Sequence, residues 1–122
     1  MSKERQNLGA WGESVAATYL EAHGYRIVRR NWRCARGEID IVAQMGETLV
    51  FVEVKTRRGR ARGTPEEAVT PRKAARLLRL AQAYLLEEDL DLPWRVDVMA
   101  VELDGRGKLL RCEHLPGAVL GW

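Results

Sequence analysis

The stretch GEIDIVAQMGETLVFVEVKTR, residues 37–57, decides the fold. Its two halves, GEIDIVA at 37–43 and TLVFVEVK at 48–55, are short and rich in β-branched residues, which predicts two strands. Met45-Gly46-Glu47-Thr48 lies between them, and a glycine at the first central position is typical of a type II′ hairpin turn. We therefore predict an antiparallel hairpin with a two-residue turn.

This turn sets which residues of the hairpin face each other. Asp40 then lies opposite Glu53 and Glu38 opposite Lys55, and all four side chains share one face of the sheet. Like charges directly across a sheet are destabilising, so the pairing of Asp40 with Glu53 calls for a compensating partner. The alternative is an exposed amphipathic hairpin with solvated charges and an ion pair between Glu38 and Lys55.

A divalent cation would turn the repulsion between Asp40 and Glu53 into attraction. Their oxygens suit Mg²⁺ or Mn²⁺, which take one or two carboxylates together with water and substrate phosphate. Lys55 follows Glu53 by two residues, where its ammonium can orient or acidify a metal-bound water that attacks, or stabilise the charge on a phosphate under attack. Glu13, at the edge of the buried face of an upstream helix, can add a ligand or accept a proton. The candidate catalytic residues are thus Asp40, Glu53, Lys55 and Glu13, and the candidate metal ligands are Asp40, Glu53 and Glu13.

The neighbouring segments complete an α/β domain. Upstream, apolar residues at helical spacing predict a helix over 8–23, buried through Leu8, Trp11, Val15 and Tyr19, and a strand follows at 25–32. Downstream, Thr70 and Pro71 are typical of the start of a helix, which we extend to residue 88, and strands follow at 94–103 and 109–115. The order α-β-β-β-α-β-β predicts one domain, residues 1–122, with a mixed central β-sheet flanked by helices.

Positive charge is concentrated in the middle of the chain. Residues 55–79 carry nine basic and two acidic side chains, and this density is typical of polyanion binding, although a solvated loop and helix face can have the same composition. We predict a mobile basic loop at 56–69 that becomes ordered on binding. The predicted nucleic-acid contacts are Arg57, Arg58, Arg60, Arg62, Arg72, Lys73, Arg76 and Arg79.

Several classes of protein are excluded. Cys34 and Cys112 lack the spacing of a zinc site and are too few for a disulfide scaffold. The N-terminal residues contain no apolar signal-peptide core, and no apolar run is long enough to span a membrane, so we expect a cytoplasmic protein without a membrane partner. The serines and histidines form no hydrolase or metalloprotease motif. Asp97, inside an apolar strand, is expected to have a structural ion pair.

GEIDIVA followed by FVEVKTR resembles the PD-(D/E)XK nuclease superfamily, with Ile39 in place of the proline. Together with Gly9, Gly12 and Glu13, RN at 30–31 and RVDV at 95–98, these motifs look like the YraN family of small bacterial proteins. The resemblance implies a restriction-endonuclease-like fold, similar to archaeal Holliday junction resolvases. It also implies catalytic positions for Asp40, Glu53 and Lys55, and the helix glutamate position for Glu13.

The expected function is therefore a metal-dependent endonuclease acting on DNA that is branched or otherwise structured. Resolution of a branched substrate favours a homodimer, because two symmetric cuts need two active sites. Two alternatives stay open. One is a non-catalytic nucleic-acid-binding module that retains the nuclease fold, and the other is a protein-interaction domain that docks a basic partner through the acidic segment 80–122.

Overall fold

A computed structural model describes residues 3–119 of the protein as a five-stranded sheet with a helix on each face. In chain order the elements are α1 (Lys3–Ala22), β1 (Arg26–Cys34), β2 (Gly37–Met45), β3 (Thr48–Arg58), a short 3₁₀ helix (Glu66–Ala68), α2 (Pro71–Glu87), β4 (Trp94–Leu103) and β5 (Leu109–Val119). The mixed sheet and the α-β-β-β-α-β-β order confirm the predicted fold class.

The strands lie in the sheet in the order in which they occur in the chain, β1 to β5. All neighbours are antiparallel except β3 and β4, which are parallel. Parallel neighbours need a long crossover, and here the loop and α2 supply it. The edges of the sheet are therefore β1 and β5.

Two apolar layers hold the helices to the sheet. On one face, Leu77, Leu80, Ala81 and Tyr84 of α2 pack against a cluster that contains Trp32, Val42, Phe51 and Val98. On the other face, Ala16, Ala17 and Leu20 of α1 pack against a cluster that contains Ile41, Val50, Val52 and Met99. Successive side chains of β2 and β3 point to opposite faces of the sheet, so adjacent residues such as Val50 and Phe51 belong to opposite apolar layers.

The predicted buried face of α1 is right only in part, because Val15 and Tyr19 pack against the apolar layer but Trp11 does not. Trp11 is 37% exposed, whereas Gly12, Ala16, Ala17 and Leu20 are buried. Small residues line the contact because the helix lies very close to β3: a Cβ added at Gly12 would lie 1.9 Å from Oγ1 of Thr56. Large apolar side chains would hold the helix away from the sheet.

The strands around the basic loop are longer than predicted. The segment 56–58, expected in the loop, belongs to β3, because Thr56, Arg57 and Arg58 pair with Val101, Glu102 and Leu103 of β4. Similarly, β5 runs to Val119 instead of residue 115. Neither α1 nor α2 combines the length and the apolar composition that a membrane-spanning helix needs.

Candidate active site

The centre of the site lies where β2 and β3 separate. Met45 pairs with Thr48, which confirms the predicted hairpin turn, and Gly46 has the positive φ of +58° that a type II′ turn needs. The ladder continues to the pair Ile41–Val52. Asp40 comes next on β2, and its Oδ2 accepts a hydrogen bond from the backbone N–H of Val54 at 2.8 Å. Just past the end of the ladder, the Asp40 side chain therefore accepts the backbone hydrogen bond of β3 in place of a β2 carbonyl.

The predicted pairing of Glu38 with Lys55 is wrong. Glu38 lies beside β1 and forms an ion pair with Arg33 at 2.8 Å. Lys55 is paired with Ala100 of β4 in the sheet, and its Nζ lies 3.7 Å from Oε2 of Glu53. The ladder between β2 and β3 ends at Ile41–Val52, whereas β3 is paired with β4 from Leu49 to Arg58.

Three carboxylates meet at this point of separation. Glu13 of α1 and Glu38 and Asp40 of β2 each have an oxygen within 4.8 Å of the others. Nδ2 of Asn31 bridges two of them, because it donates to Oε1 of Glu13 at 2.7 Å and to Oε1 of Glu38 at 2.9 Å. Asn31 has a φ of +54°, a conformation that asparagine tolerates better than most residues. Glu13 and Asp40 were predicted here from the sequence, whereas Glu38 and Asn31 were not.

Glu53 is the fourth carboxylate of this region. Burial, a hydrogen bond with Glu53 and the charge of Glu53 together raise the pKa of Asp40 to about 9, against the opposing effect of the Val54 N–H. In the absence of a cation, Asp40 therefore keeps its proton at neutral pH. A bound divalent cation would replace this proton.

The acidic cluster can hold a metal ion. Glu13, Glu38 and Asp40 each offer a carboxylate oxygen within 4.8 Å of the others, and carboxylate oxygens are the ligands that hard divalent cations prefer. Of the ligands predicted from the sequence, Asp40 and Glu13 belong to this cluster, and Glu53 is next to it through its hydrogen bond with Asp40. The charge of Glu53 next to Asp40 disfavours the ionised form of Asp40, and a bound cation would offset this repulsion.

A cleft of about 610 Å³ opens onto this centre. The structure brings all four predicted catalytic residues to its wall: Glu13, Asp40, Glu53 and Lys55. The rest of the wall includes Leu8 and Gly9 of α1 and the last residues of β3. The cleft is thus open to a ligand at the place where the acidic side chains and the lysine converge.

Three of the predicted nucleic-acid contacts, Arg57, Arg58 and Arg62, line the same cleft. Arg57 donates to the carbonyl of Thr56 at 3.1 Å, and within the described residues its buried Nε has no hydrogen-bond partner. Arg60 instead binds Glu102 through two hydrogen bonds of 2.8 and 3.0 Å. A guanidinium group engaged in this way is less available to a phosphate.

The other predicted contacts lie on α2. Arg72, Lys73, Arg76 and Arg79 are exposed, but none of them lines the acidic cleft. The guanidinium group of Arg76 lies next to Gly37 at the start of β2, and Arg79 lines a separate shallow cleft with Cys34 and Arg36. A role for these four residues in binding nucleic acid stays a prediction.

Ion pairs attach the basic loop to the sheet. Arg111 of β5 binds Glu66 at 2.6 Å and also contacts Glu102 and Glu113. The hydrogen bond from Arg111 lowers the pKa of Glu66 to about 2. The far end of the loop, after the residues that line the cleft, is therefore fixed to β5.

Asp97 has the structural surroundings that the sequence predicts. It is fully buried on β4 and accepts hydrogen bonds from Arg95 at 3.0 Å, from the His114 ring at 2.6 Å and from the N–H of Gly117 at 2.8 Å. These contacts hold the end of β5 against β4, away from the acidic cleft.

Comparison with known proteins identifies the family. The sequence profile of the uncharacterised protein family UPF0102 matches residues 12–101, which include Glu13, Asp40, Glu53 and Lys55. The chain belongs to this family. UPF0102 is the YraN family, so the resemblance drawn from the motifs is confirmed.

UPF0102 relatives match almost the whole chain. A UPF0102 protein from Roseiflexus castenholzii is 50% identical over 98% of both chains, and one from Arthrobacter sp. is 57% identical over 90% of this chain and 93% of its own. Among solved structures, SfsA from Pyrococcus furiosus in complex with Ca²⁺ is similar with a TM-score of 0.43 and 17% identity. That match covers 91% of this chain and 64% of the SfsA chain.

Proposed function

We propose that this protein is a metal-dependent endonuclease that hydrolyses phosphodiester bonds of DNA. The observation that carries the proposal is the convergence of Asp40, Glu53, Glu13 and Lys55 on one cleft whose wall also contains arginines. Clustered carboxylates, a lysine next to them and exposed positive charge suit the hydrolysis of a phosphodiester better than any other chemistry available to these side chains.

Asp40, Glu53 and Glu13 are the proposed ligands of Mg²⁺ or Mn²⁺. When bound, the cation would polarise the phosphate and lower the pKa of a water molecule. The backbone N–H of Val54 holds the carboxylate of Asp40 in place at 2.8 Å, and Asn31 holds that of Glu13 at 2.7 Å. Both ligands are thus oriented before a cation arrives, which lowers the cost of binding it.

Lys55 is the proposed charge-stabilising residue. Its side chain is only 21% exposed and its Nζ lies 3.7 Å from Glu53, so the ammonium is held near the carboxylates. There it can stabilise the negative charge that develops on the phosphate oxygens. Glu13, which reaches the cleft from α1, is the residue proposed to accept a proton from the attacking water.

The substrate proposed is DNA, in the branched or structured form that the resemblance of the sequence motifs to the PD-(D/E)XK superfamily implies. Arg57, Arg58 and Arg62 are proposed to contact its phosphates, because guanidinium groups bind phosphate oxygens through two parallel hydrogen bonds. Symmetric cuts in a branched substrate would require two copies of this single-site chain, so a homodimer is part of the proposal.

A cleavage assay tests the proposal. A labelled four-way junction and a linear duplex of the same arm sequence are incubated with Mg²⁺, Mn²⁺ or EDTA, and the strands are separated on a denaturing gel. The wild-type protein should cut with a metal and not with EDTA, and Asp40→Ala, Glu53→Ala and Lys55→Ala should each reduce the rate by at least about 100-fold. Glu47→Gln, at the exposed turn of the same hairpin, is the control and should cut normally.

Absence of cutting with either metal would overturn the proposal, as would cutting that is unchanged in Asp40→Ala. Salt-sensitive DNA binding that is indifferent to EDTA and to Lys55→Ala, without cleavage, would instead identify a non-catalytic nucleic-acid-binding module. Failure to bind nucleic acid at low salt would favour a protein-interaction domain.

A further inference from the structure

The edge strand β1 carries a second concentration of positive charge, outside the segment 55–79. Residues 24–37 contain no acidic side chain and five arginines, all of them exposed: Arg26, Arg29, Arg30, Arg33 and Arg36. Because β1 is at the edge of the sheet, one side of the strand is free of a neighbouring strand. An exposed, acid-free row of arginines is typical of a surface that contacts a polyanion.

Two of these arginines lie beside the acidic centre. Arg30 donates to Oγ of Ser14, the residue after Glu13, at 3.3 Å. Arg33 forms an ion pair with Glu38 at 2.8 Å. Between them along β1 is Asn31, whose side chain bridges Glu13 and Glu38. The geometry of this strand therefore brings two guanidinium groups to the β1 side of the carboxylates.

The arginines of β3 and the basic loop occupy another side of the same carboxylates. Arg57, Arg58 and Arg62 line the cleft together with Glu13, and Glu13 is also the carboxylate that Asn31 holds towards β1. The acidic centre consequently has one group of arginines at the end of β3 and a second group on β1. This arrangement suits a phosphate backbone that passes over the centre and continues on both sides of it.

We propose that Arg30 and Arg33 form a second phosphate-binding wall, so that a DNA strand crossing the acidic centre is held on both sides of the bond to be cut. The inference rests on the proposed function for the chemistry at the centre. The side chain of Arg33 is 76% exposed, and an ion pair this exposed is weak, so a phosphate can replace Glu38 as its partner. Contacts on both sides favour cleavage within a continuous strand over removal of a terminal nucleotide.

The test is the salt dependence of DNA binding in EDTA, which stops cleavage. Fluorescence anisotropy of a labelled duplex is measured over a range of salt concentrations for Arg30→Ala, Arg33→Ala and the double variant. Each lost phosphate contact should lower the slope of log affinity against log salt by about 1 and weaken binding roughly fivefold at low salt. Arg30→Lys, which keeps the charge, should restore most of the slope.

Arg26→Ala is the matched control. Arg26 lies on the same strand but beyond the irregularity in pairing between Ile27 and Arg29, at the end remote from the acidic centre, and its guanidinium binds Gln44 at 2.6 Å. The same loss of one positive charge there should leave both affinity and slope close to those of the wild type.

The outcomes separate this inference from the proposed function. If the Arg30→Ala/Arg33→Ala double variant binds like the wild type while Arg58→Ala weakens binding, the β1 wall is refuted and the proposed endonuclease stands. If the double variant loses two units of slope but the wild type never cuts DNA with Mg²⁺ or Mn²⁺, the wall is supported and the endonuclease is refuted. If the wild type binds no DNA even at low salt, both are wrong.

Discussion

Replacement of Gly12 by alanine should disturb the closest contact between α1 and the sheet. The added Cβ would lie 1.9 Å from Oγ1 and 3.0 Å from Cβ of Thr56. Rotation of the threonine side chain can relieve the first contact but not the second, because the Cβ of Thr56 is fixed to the backbone. Ordinary contact begins at 3.4 Å, so α1 has to move away from β3 by roughly 0.4 to 1.5 Å.

Gly9→Ala supplies the reference for the size of this effect. Gly9 is on the same helix, and an added Cβ there has nothing within 4 Å. Both substitutions gain the same helix propensity, about 1 kcal/mol, so the difference between their free energies of unfolding isolates the strain. Overpacking typically costs about 1–3 kcal/mol. We therefore expect Gly12→Ala to be less stable than Gly9→Ala by about 1–3 kcal/mol in urea unfolding.

The same displacement should also affect the active site. Glu13 follows Gly12, and a shift of about 1 Å in a catalytic group can lower the rate by about 100-fold. Adding Thr56→Ala to Gly12→Ala removes the atoms at 1.9 and 3.2 Å and should restore part of the stability. Equal stabilities for Gly12→Ala and Gly9→Ala would refute the close packing of α1 on β3.

Two further predictions concern pH. The unfolded chain releases the Asp40 proton near pH 4 and the folded, metal-free protein releases it near pH 9, so the free energy of unfolding falls as the pH rises between these values. Asp40→Asn keeps the hydrogen bond to Glu53 without a titrating proton. In chemical unfolding at pH 8 this variant should gain about 1 kcal/mol or more, and the control Glu47→Gln should gain nothing. An Asp40→Asn protein no more stable than the wild type would contradict the raised pKa. Arg111 holds the pKa of Glu66 at about 2, below its usual 4.5, so their ion pair stabilises the fold fully above pH 4.5 and is lost as the pH falls towards 2. Glu66→Gln should therefore lower the free energy of unfolding by about 1 kcal/mol at pH 7, measured by thermal unfolding. If this variant loses stability in acid as much as the wild type does, the result argues against the pairing.

The hairpin shows how far local sequence information reaches. Its turn chemistry correctly predicts the pairing from Met45–Thr48 to Ile41–Val52 and thereby brings Asp40 next to Glu53. Extending this register along both strands assumes that the ladder of backbone pairs continues, and for this reason Glu38 was wrongly paired with Lys55. The ladder instead ends at Ile41–Val52, and beyond it β3 stays paired with β4, a strand far away in the chain.

The buried face of α1 was predicted only in part, for a related reason: Val15 and Tyr19 contact the apolar layer, but Trp11 is exposed. Periodicity favours large apolar residues such as Trp11, whereas the helix packs through Gly12, Ala16 and Ala17 because it lies close to the sheet. The distance between a helix and a sheet is a tertiary property that apolar spacing alone does not contain. Glu13 was nevertheless placed correctly at the edge of the buried face.

Glu38 and Asn31 were missed as parts of the acidic centre. Glu38 lies two residues before Asp40, so both side chains share one face of the strand, and this spacing could have suggested a shared site. Glu38 was instead expected to form an ion pair with Lys55 and was therefore not predicted as a metal ligand. Asn31 reaches Glu13 and Glu38 from a left-handed backbone conformation that no local pattern predicts. Only the RN motif at 30–31 pointed to this position.

Calorimetric titration of Mn²⁺ into the wild-type, Asp40→Ala and Glu47→Gln proteins tests the central claim most directly, that the acidic side chains around Asp40 form a metal centre. We expect wild type and Glu47→Gln to bind Mn²⁺ equally and Asp40→Ala to lose binding, because Asp40 lies between Glu53 and the pair formed by Glu13 and Glu38. Protons should be released on binding to the wild type, seen as a heat that depends on the ionisation enthalpy of the buffer. Equal Mn²⁺ binding by Asp40→Ala and wild type, or no binding by either, would contradict the account.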